Sequence, residues 1–351
     1  MPKNYLFFCS YSYAIPILRP LEMEIRRRGD NVAWFLERSC NDEALTANDL
    51  TLKTRKEVKV WNPVAVFAPG IFVYDFFPGI KVEVFHGYPI YKRGGTEETH
   101  FRIRGWFDIY LSTGPSSTPV FLEQEKKYKH FKTYETGWAK VDTIIKAKKE
   151  AENTTRKDKT PTIFITTTFS DKVTQLKRIL PEIKRLAEKR EWNWIITMHP
   201  KLDDQSLRTD LEELDRKLEN VTFMPVTPDA YVMAQTDVML SDASSIILEY
   251  MMLDKPVVTV CNTTPGPHLI NVNNPDGIES AIEKALTRPV SLMNEIKNYI
   301  DFHEAHLDGH NCQRIIDAVD DFIKNHKGKI KKKPLNLFRK IKLRWKLAMQ
   351  K

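Results

Sequence analysis

Four short polar segments stand out along the 351-residue chain. His86-Gly87-Tyr88-Pro89 and Met198-His199-Pro200 each close an apolar, strand-like run. Ser241-Asp242-Ala243-Ser244-Ser245 follows a third such run and opens an apolar helical stretch, and Asp308-Gly309 precedes Arg314 near the end. A histidine at a strand end can take a proton from an alcohol near neutral pH, because its ordinary pKa is about 6.5. Gly87 lets the backbone turn and approach a ligand, and Pro200 keeps His199 out of helical geometry. Small hydroxyl residues at a helix start offer N–H groups, hydroxyl donors and the positive end of the helix dipole, which together suit a phosphate. Arg314 adds a permanent cation. Phosphate chemistry is what these residue types and positions fit.

Each segment also has a plainer reading. His86 and His199 can be loop histidines bonded to carbonyls. Asp242 or Ser244 can be an ordinary N-cap, although capping accounts for one such residue and not for three serines and an aspartate together. Asp242 and Glu249, one turn into the helix, are candidate ligands of a nucleotide ribose; otherwise Glu249 is an ordinary helix glutamate. Lys92 and Arg93 either meet an anionic acceptor or form a solvated turn. His303, His306 and His310 lack the carboxylate partners of a metal site and decorate a helix end and its loop. No Walker-type loop, GxGxxG, HExxH, GxSxG or DxD segment occurs.

These pieces need strand ends and helix starts to hold them. Apolar strand-like runs at Tyr5–Cys9, Val32–Leu36, Val64–Ala68, Val82–Phe85 and Phe107–Leu111 alternate with helical patterns at Ile15–Arg28 and Pro115–Lys127. A second series has strands at Thr162–Thr168, Trp192–Thr197, Val221–Met224, Val238–Leu240 and Pro256–Val260. Its helices are Val173–Arg190, Leu211–Leu218, Ser244–Leu253, 276–286, 291–304 and 310–325. Strands separated by helices predict parallel sheets covered on both faces. The expected architecture is α/β: two Rossmann-like domains with a cleft between them. The first spans 1–142, a Lys-, Glu- and Thr-rich linker follows at 143–160, and the second spans 161–326.

Composition narrows the class. Hydrophobic residues make up 42% and charged residues 28%, as in a globular protein. The four cysteines are scattered, which disfavours a zinc site or a disulfide framework. The formal charge of +8 belongs to the end of the chain: residues 327–351 carry eleven of the 54 basic residues and none of the 46 acidic ones. The remainder, with 43 basic and 46 acidic residues, is slightly acidic, which argues against a nucleic-acid surface. Within 327–351, Leu337, Phe338, Ile341, Trp345, Ala348 and Met349 fall on roughly one helical face, with Leu343 and Leu347 off it. A basic amphipathic tail helix of this kind suits an anionic membrane surface; a solvated tail or a partner protein are the other readings.

Taken together, the segments resemble the CDP-glycerol glycerophosphotransferase family of teichoic-acid and capsule synthesis. Phe85 to Lys92 is similar to its HGxPxK-like motif, and His199-Pro200 to its HP pair. Gly137-Trp138-Ala139-Lys140-Val141-Asp142 is similar to a GxPRxD-like motif, with departures at Ala139 and Lys140. Ser241 to Ser245 with Lys255-Pro256 resembles SDYSS followed by KP, with Ala243 in place of the aromatic residue. Asp308-Gly309 with Arg314 matches a late DGxxxxR. The resemblance implies a GT-B-like fold and transfer of a polyol phosphate from a CDP-glycerol or other CDP-polyol donor to a lipid-linked or polysaccharide hydroxyl. No cofactor or bound metal is implied. His86 would activate the acceptor, and His199, Ser244, Ser245 and Arg314 would hold the donor pyrophosphate. Such an enzyme would sit in the cytoplasm, on the inner face of the plasma membrane. A GT-B glycosyltransferase using a nucleotide sugar, and a non-catalytic nucleotide-binding protein, are the competing classes.

Overall fold

The computed structural model describes residues 1–88, 101–154, 156, 159–168, 174–199, 202–226 and 229–349. They form two compact units. The first holds the described residues up to Asp142 together with those from Phe302 onward; the second holds Thr143–Asp301.

In the first unit the chain runs β1 (Asn4–Cys9), α1 (Ala14–Arg27), β2 (Asn31–Leu36), α2 (Arg55–Trp61), β3 (Ala65–Ala68), β4 (Ile80–Glu83), β5 (Ile109–Ser112), α3 (Thr118–Tyr128), β6 (Lys132–Glu135) and α4 (Val141–Asn153), which crosses the boundary. The strands make one sheet in the order β2-β1-β3-β4-β5-β6, with every pairing parallel. Tyr5 to Cys9 are all buried, as expected of a strand covered on both faces. Leu6, Phe8, Phe35, Val66, Tyr74 and Phe77 share one core cluster, in which Phe8 lies edge-on to Tyr74 and Phe77.

In the second unit follow β7 (Thr162–Ile165), α5 (Leu176–Lys189), β8 (Asn193–Thr197), α6 (Gln205–Lys217), β9 (Val221–Met224), α7 (Ala230–Ala234), β10 (Val238–Ser241), α8 (Ile246–Met251), β11 (Val257–Val260), β12 (Ile270–Val272), α9 (Ile278–Leu286) and α10 (Val290–His303). The sheet order is β12-β11-β10-β7-β8-β9, again all parallel. Counted from its own first strand this is the 3-2-1-4-5-6 order of dinucleotide-binding folds. Helix α5 turns Leu176, Ile179, Leu180, Ile183 and Leu186 inward at helical spacing, and Pro181 sits within its continuous run.

Two regions differ from the sequence division. The expected linker is mostly helix: α4 buries Val141, Ile144, Ile145 and Ala147, and its Lys and Glu residues are good helix formers on the wet side. The chain from Phe302 to His326, placed by sequence with the second domain, belongs to the first unit. There α11 (Asn311–Asp321) packs on α1 and buries Ile315, Ile316 and Val319. Arg28 pairs with Asp317 at 2.8 Å and Lys3 with Asp320 at 2.7 Å. Helical periodicity shows which face of a helix is apolar but not which sheet that face will cover. Helix α2 was absent from the sequence reading, yet its signal was present: Thr54 and Glu57 form a capping box. The chain closes with a π-helical turn at Phe322–His326 and α12 (Leu337–Met349).

Truncating Ile315, which is fully buried, removes a core side chain at this return. Ile315→Ala should lower stability by about 2–5 kcal/mol. Hydrogen exchange should quicken first in α1 and β1. Faster exchange confined to 161–300 would contradict the assignment of α11 to the first unit.

Candidate active site

In parallel α/β sheets ligands bind beyond the carboxyl ends of the strands, where consecutive connections leave in opposite directions. Each sheet has one such point: between β1 and β3 in the first unit, and between β7 and β10 in the second.

At the first point His86 lies three residues beyond β4, and its Nδ1 is 3.3 Å from the carbonyl oxygen of Pro69, just after β3. A carbonyl only accepts, so Nδ1 carries the proton and Nε2 keeps its lone pair. Desolvation by the surrounding protein pushes the His86 pKa below the ordinary imidazole value, outweighing the Pro69 bond, so the ring is neutral near pH 7. The Tyr13 ring, from the loop after β1, lies 5.4 Å from that of His86 and stacks on Tyr11 at 5.7 Å. Both tyrosines are exposed. The result is a base with an aromatic shelf beside it. The sequence analysis did not single out Ser10 to Tyr13; the alternation Ser-Tyr-Ser-Tyr directly after a strand was the available signal.

The loop carrying His86 is anchored from behind by a carboxyl group the sequence reading did not single out. Glu304 is buried just past α10, and its Oε2 accepts from the Tyr88 hydroxyl at 2.6 Å and the Trp138 N–H at 3.1 Å. Its Oε1 accepts from the His306 N–H and the Asn311 amide, each at 3.3 Å. The Trp138 indole N–H donates to the Phe85 carbonyl at 2.6 Å. Gly137 has φ +73°, and a Cβ there would stand 2.3 Å from Glu304 Oε1, so no larger residue fits. Asp142 accepts the first free N–H groups of α11, from Asn311 and Cys312, at 2.8 Å each. Three of the sequence segments thus meet through one node, at Tyr88, Trp138 and Asn311. Burial pushes the Glu304 carboxyl up to about 8 against the lowering effect of its donors.

Arg314 belongs to this unit. It donates to Asp308 at 2.9 Å and to Asn311 at 3.0 Å, and holds the Asp308 carboxyl well below the ordinary range. Lys92 and Arg93 lie outside the described residues.

At the second point Asp242 follows β10 and is fully buried. Its carboxylate accepts from the backbone N–H of Thr168 at 2.9 Å, of Gln175 at 3.3 Å and of Ala243 at 2.5 Å, and so ties the loop after β7 to the loop after β10. An oxygen pair bonded to these backbone donors fixes the two loops to each other. The Asn262 amide donates to the Asp242 carbonyl at 2.6 Å. Ser244 is half-buried and Ser245 exposed at the start of α8, while the Ser241 hydroxyl is buried with no hydrogen-bond partner among the described residues. Glu249 is buried in α8. His199 lies two residues beyond β8, half-buried, with its carbonyl accepting from Leu202 at 2.8 Å. Ser241, Asp242, Ser244 and Ser245 are therefore assembled in one unit, and His86, Glu304 and Arg314 in the other.

Two parallel-sheet α/β units, each with its polar loops at the carboxyl edge, define a protein of GT-B-like fold. Residues 121–320 match the family model described as UDP-N-acetylglucosamine 2-epimerase, and the chain belongs to that family. No curated protein matches the sequence. Among solved structures, the wall teichoic acid polymerase TagF shares 14% identity over 92% of this chain and 90% of its own, with a TM-score of 0.63. A form of TagF with a histidine-to-asparagine substitution, soaked with CDPG, matches with a TM-score of 0.62 at 14% identity, over 92% of this chain and 89% of its own. The UDP-GlcNAc 2-epimerase of Neisseria meningitidis bound to UDP-GlcNAc shares 16% identity over 92% of this chain and 100% of its own, with a TM-score of 0.57. At such identities the likeness speaks for the fold.

The folded pKa of Glu304 stands above the free value of 4.5. Its contribution to stability is therefore complete below the free value and is lost as the pH rises through about 8. Glu304→Gln should flatten the decline in denaturation midpoint between about pH 5 and 8. Glu83, also pushed up to about 8 by burial, leaves a residual slope. Glu304→Ala removes the acceptor of the Tyr88 hydroxyl and of the Trp138 and His306 N–H groups and should cost about 1–3 kcal/mol. An unchanged pH slope in the glutamine variant would show that the carboxyl is ionised in the fold.

Proposed function

We propose that the chain transfers glycerol phosphate, or a related polyol phosphate, from a CDP-activated donor to a hydroxyl of a lipid-linked or polymeric cell-envelope acceptor. The observation that carries this reading is His86, a neutral imidazole whose Nδ1–H is committed to Pro69 and whose Nε2 is left as a base. In the proposed step the acceptor O–H gives its proton to Nε2, and its oxygen forms a bond to the phosphorus that bears the polyol. The bond from that phosphorus to CMP breaks, and CMP leaves with the electron pair. Ser244, Ser245 and the Ser241 hydroxyl, which has no partner among the described residues, would hold the diphosphate, with His199 from the neighbouring strand end. The CDPG-soaked form of TagF lends support, since that protein shares the fold and takes a ligand of this name at a histidine-substituted stage.

The family match favours a second reading, in which the same second-unit loops hold a UDP-N-acetylhexosamine for epimerisation of its sugar. Parallel incubations separate the two. CMP release from CDP-glycerol or CDP-ribitol in the presence of a lipid-linked acceptor supports transfer. Conversion of UDP-N-acetylglucosamine to its 2-epimer, with no CMP formed, overturns it in favour of the second reading. Release of a nucleoside diphosphate from a sugar nucleotide would indicate glycosyl transfer. With the active donor, His86→Ala should slow turnover by about 10²–10⁴-fold while donor affinity stays within a few-fold. A fully active variant would remove His86 from the chemistry.

A further inference from the structure

The amino-terminal edge of the first sheet carries a second polar site, away from the strand ends that hold His86. Where β4 and β5 begin, a cavity of about 360 Å³ is lined by Lys327, Lys331, Lys332 and Lys333, with Asp108 and His130. Asp108 is already bonded: it accepts from Lys333 at 2.8 Å and from the Lys81 backbone N–H at 2.7 Å. Behind the wall lies a further lysine. Lys81 is buried, donates to the carbonyls of Phe77 at 2.7 Å and Gly79 at 2.6 Å, and is pushed down to about 7, first by burial and then by the nearby charge of Lys333. His130 is buried, and its Nε2 has no hydrogen-bond partner among the described residues. Four lysines against one paired carboxylate suit a phosphate group.

The segment that supplies these lysines is pinned to the first unit. The Lys331 N–H donates to the Lys129 carbonyl at 3.0 Å, Lys333 Nζ to the Trp106 carbonyl at 3.1 Å, and the Asn336 amide to the Arg104 carbonyl at 2.9 Å. Gly105 leaves room for the strap, since a Cβ there would lie 2.5 Å from Pro334. Helix α12 then docks by one face: Arg344 meets Asp75 at 2.7 Å, and Leu343 packs on the core of the first unit. Its other face is open. Leu337, Phe338, Ile341 and Trp345 are 60%, 90%, 64% and 67% exposed. At 3.6 residues per turn they lie within about 100° of one another. Lys342 flanks the stripe, and residues 327–351 contain no acidic side chain. Lys333 and Leu337 are four residues apart, at most about 14 Å, so the cavity wall and the stripe are adjacent.

We propose that this edge is a docking surface for an anionic phospholipid membrane, with a lipid phosphate held in the lysine cavity and the outer face of α12 set into the interface. The occupant is argued from charge and polarity together. A free phosphate would use the lysines but not the apolar stripe, and an apolar partner protein would use the stripe but not the lysines. A membrane surface uses both. Among the described residues no helix is long and apolar enough to cross a bilayer, and the proposal requires contact from one side only. It goes beyond the catalytic reading and does not depend on which donor is used.

The full chain should sediment with vesicles of phosphatidylcholine and phosphatidylglycerol, and not with phosphatidylcholine alone. Lys331→Ala with Lys332→Ala, both exposed in the fold, should weaken binding by about fivefold per lysine removed. Phe338→Ser with Trp345→Ser should abolish it, with circular dichroism unchanged in both variants. The control is Lys126→Ala with Lys127→Ala, an exposed pair on α3 carrying the same charge outside the cavity. An equal loss in that control would reduce the effect to net charge and overturn the site. Wild-type vesicle binding by the 331/332 variant, with inorganic phosphate binding lost, would assign the cavity to a free anion and overturn the lipid assignment.

Discussion

The first unit depends on a carboxyl group that has been taken out of water and then fully employed. Glu304 accepts from a tyrosine hydroxyl, two backbone N–H groups and an asparagine amide. Burying a carboxyl without such partners costs several kcal/mol. With them, its geometry becomes a constraint on everything it touches. Tyr88 cannot shift without leaving Glu304, and Tyr88 is two residues from His86. Trp138 is bound to the same carboxyl and in turn to the Phe85 carbonyl, one residue before His86. The imidazole at the strand end is therefore held by a frame whose members come from three distant parts of the chain.

The second unit uses the same device in another form. The Asp242 carboxylate ties the loop after β7 to the loop after β10 across the point where the strand order reverses. This spends the charge on backbone donors and leaves the serines around it as the groups able to meet a ligand. In each unit a buried carboxyl group fixes the loops that carry polar side chains at the strand ends.

Much of this was legible in the sequence because parallel sheets leave a strong mark. Strands buried on both faces read as unbroken apolar runs, and Tyr5 to Cys9 and Val257 to Val260 could be assigned on that ground alone. The loops that follow such strands are where side chains reach ligands, so His86, His199 and the serine cluster could be singled out. What could not be read is which polar residues of a motif face the ligand and which face the protein. Asp142, Asp242 and Asp308 look alike in the sequence. In the fold, the first caps a helix, the second clamps two loops and the third fixes an arginine. Glu304 escaped notice because a lone glutamate after an amphipathic helix is ordinary until its burial is known. Leu343 read as a break in the amphipathic stripe of α12; it marks the side by which that helix is attached.

The epimerase family and the teichoic acid polymerase share this fold at low identity, and the frame suggests where their chemistries would part. Gripping a nucleoside diphosphate asks for the same donors whether the group beyond it is a sugar or a polyol phosphate. Those requirements bear on the loops around Asp242, within the stretch that the family model matches. The choice of reaction then falls on the groups that present a base; His86 lies before the matched residues begin. An imidazole with one nitrogen tied to a backbone carbonyl is set up to take a proton from an oxygen acid of ordinary strength. Abstraction from a sugar carbon asks more of a base, because the carbanion must be stabilised as it forms.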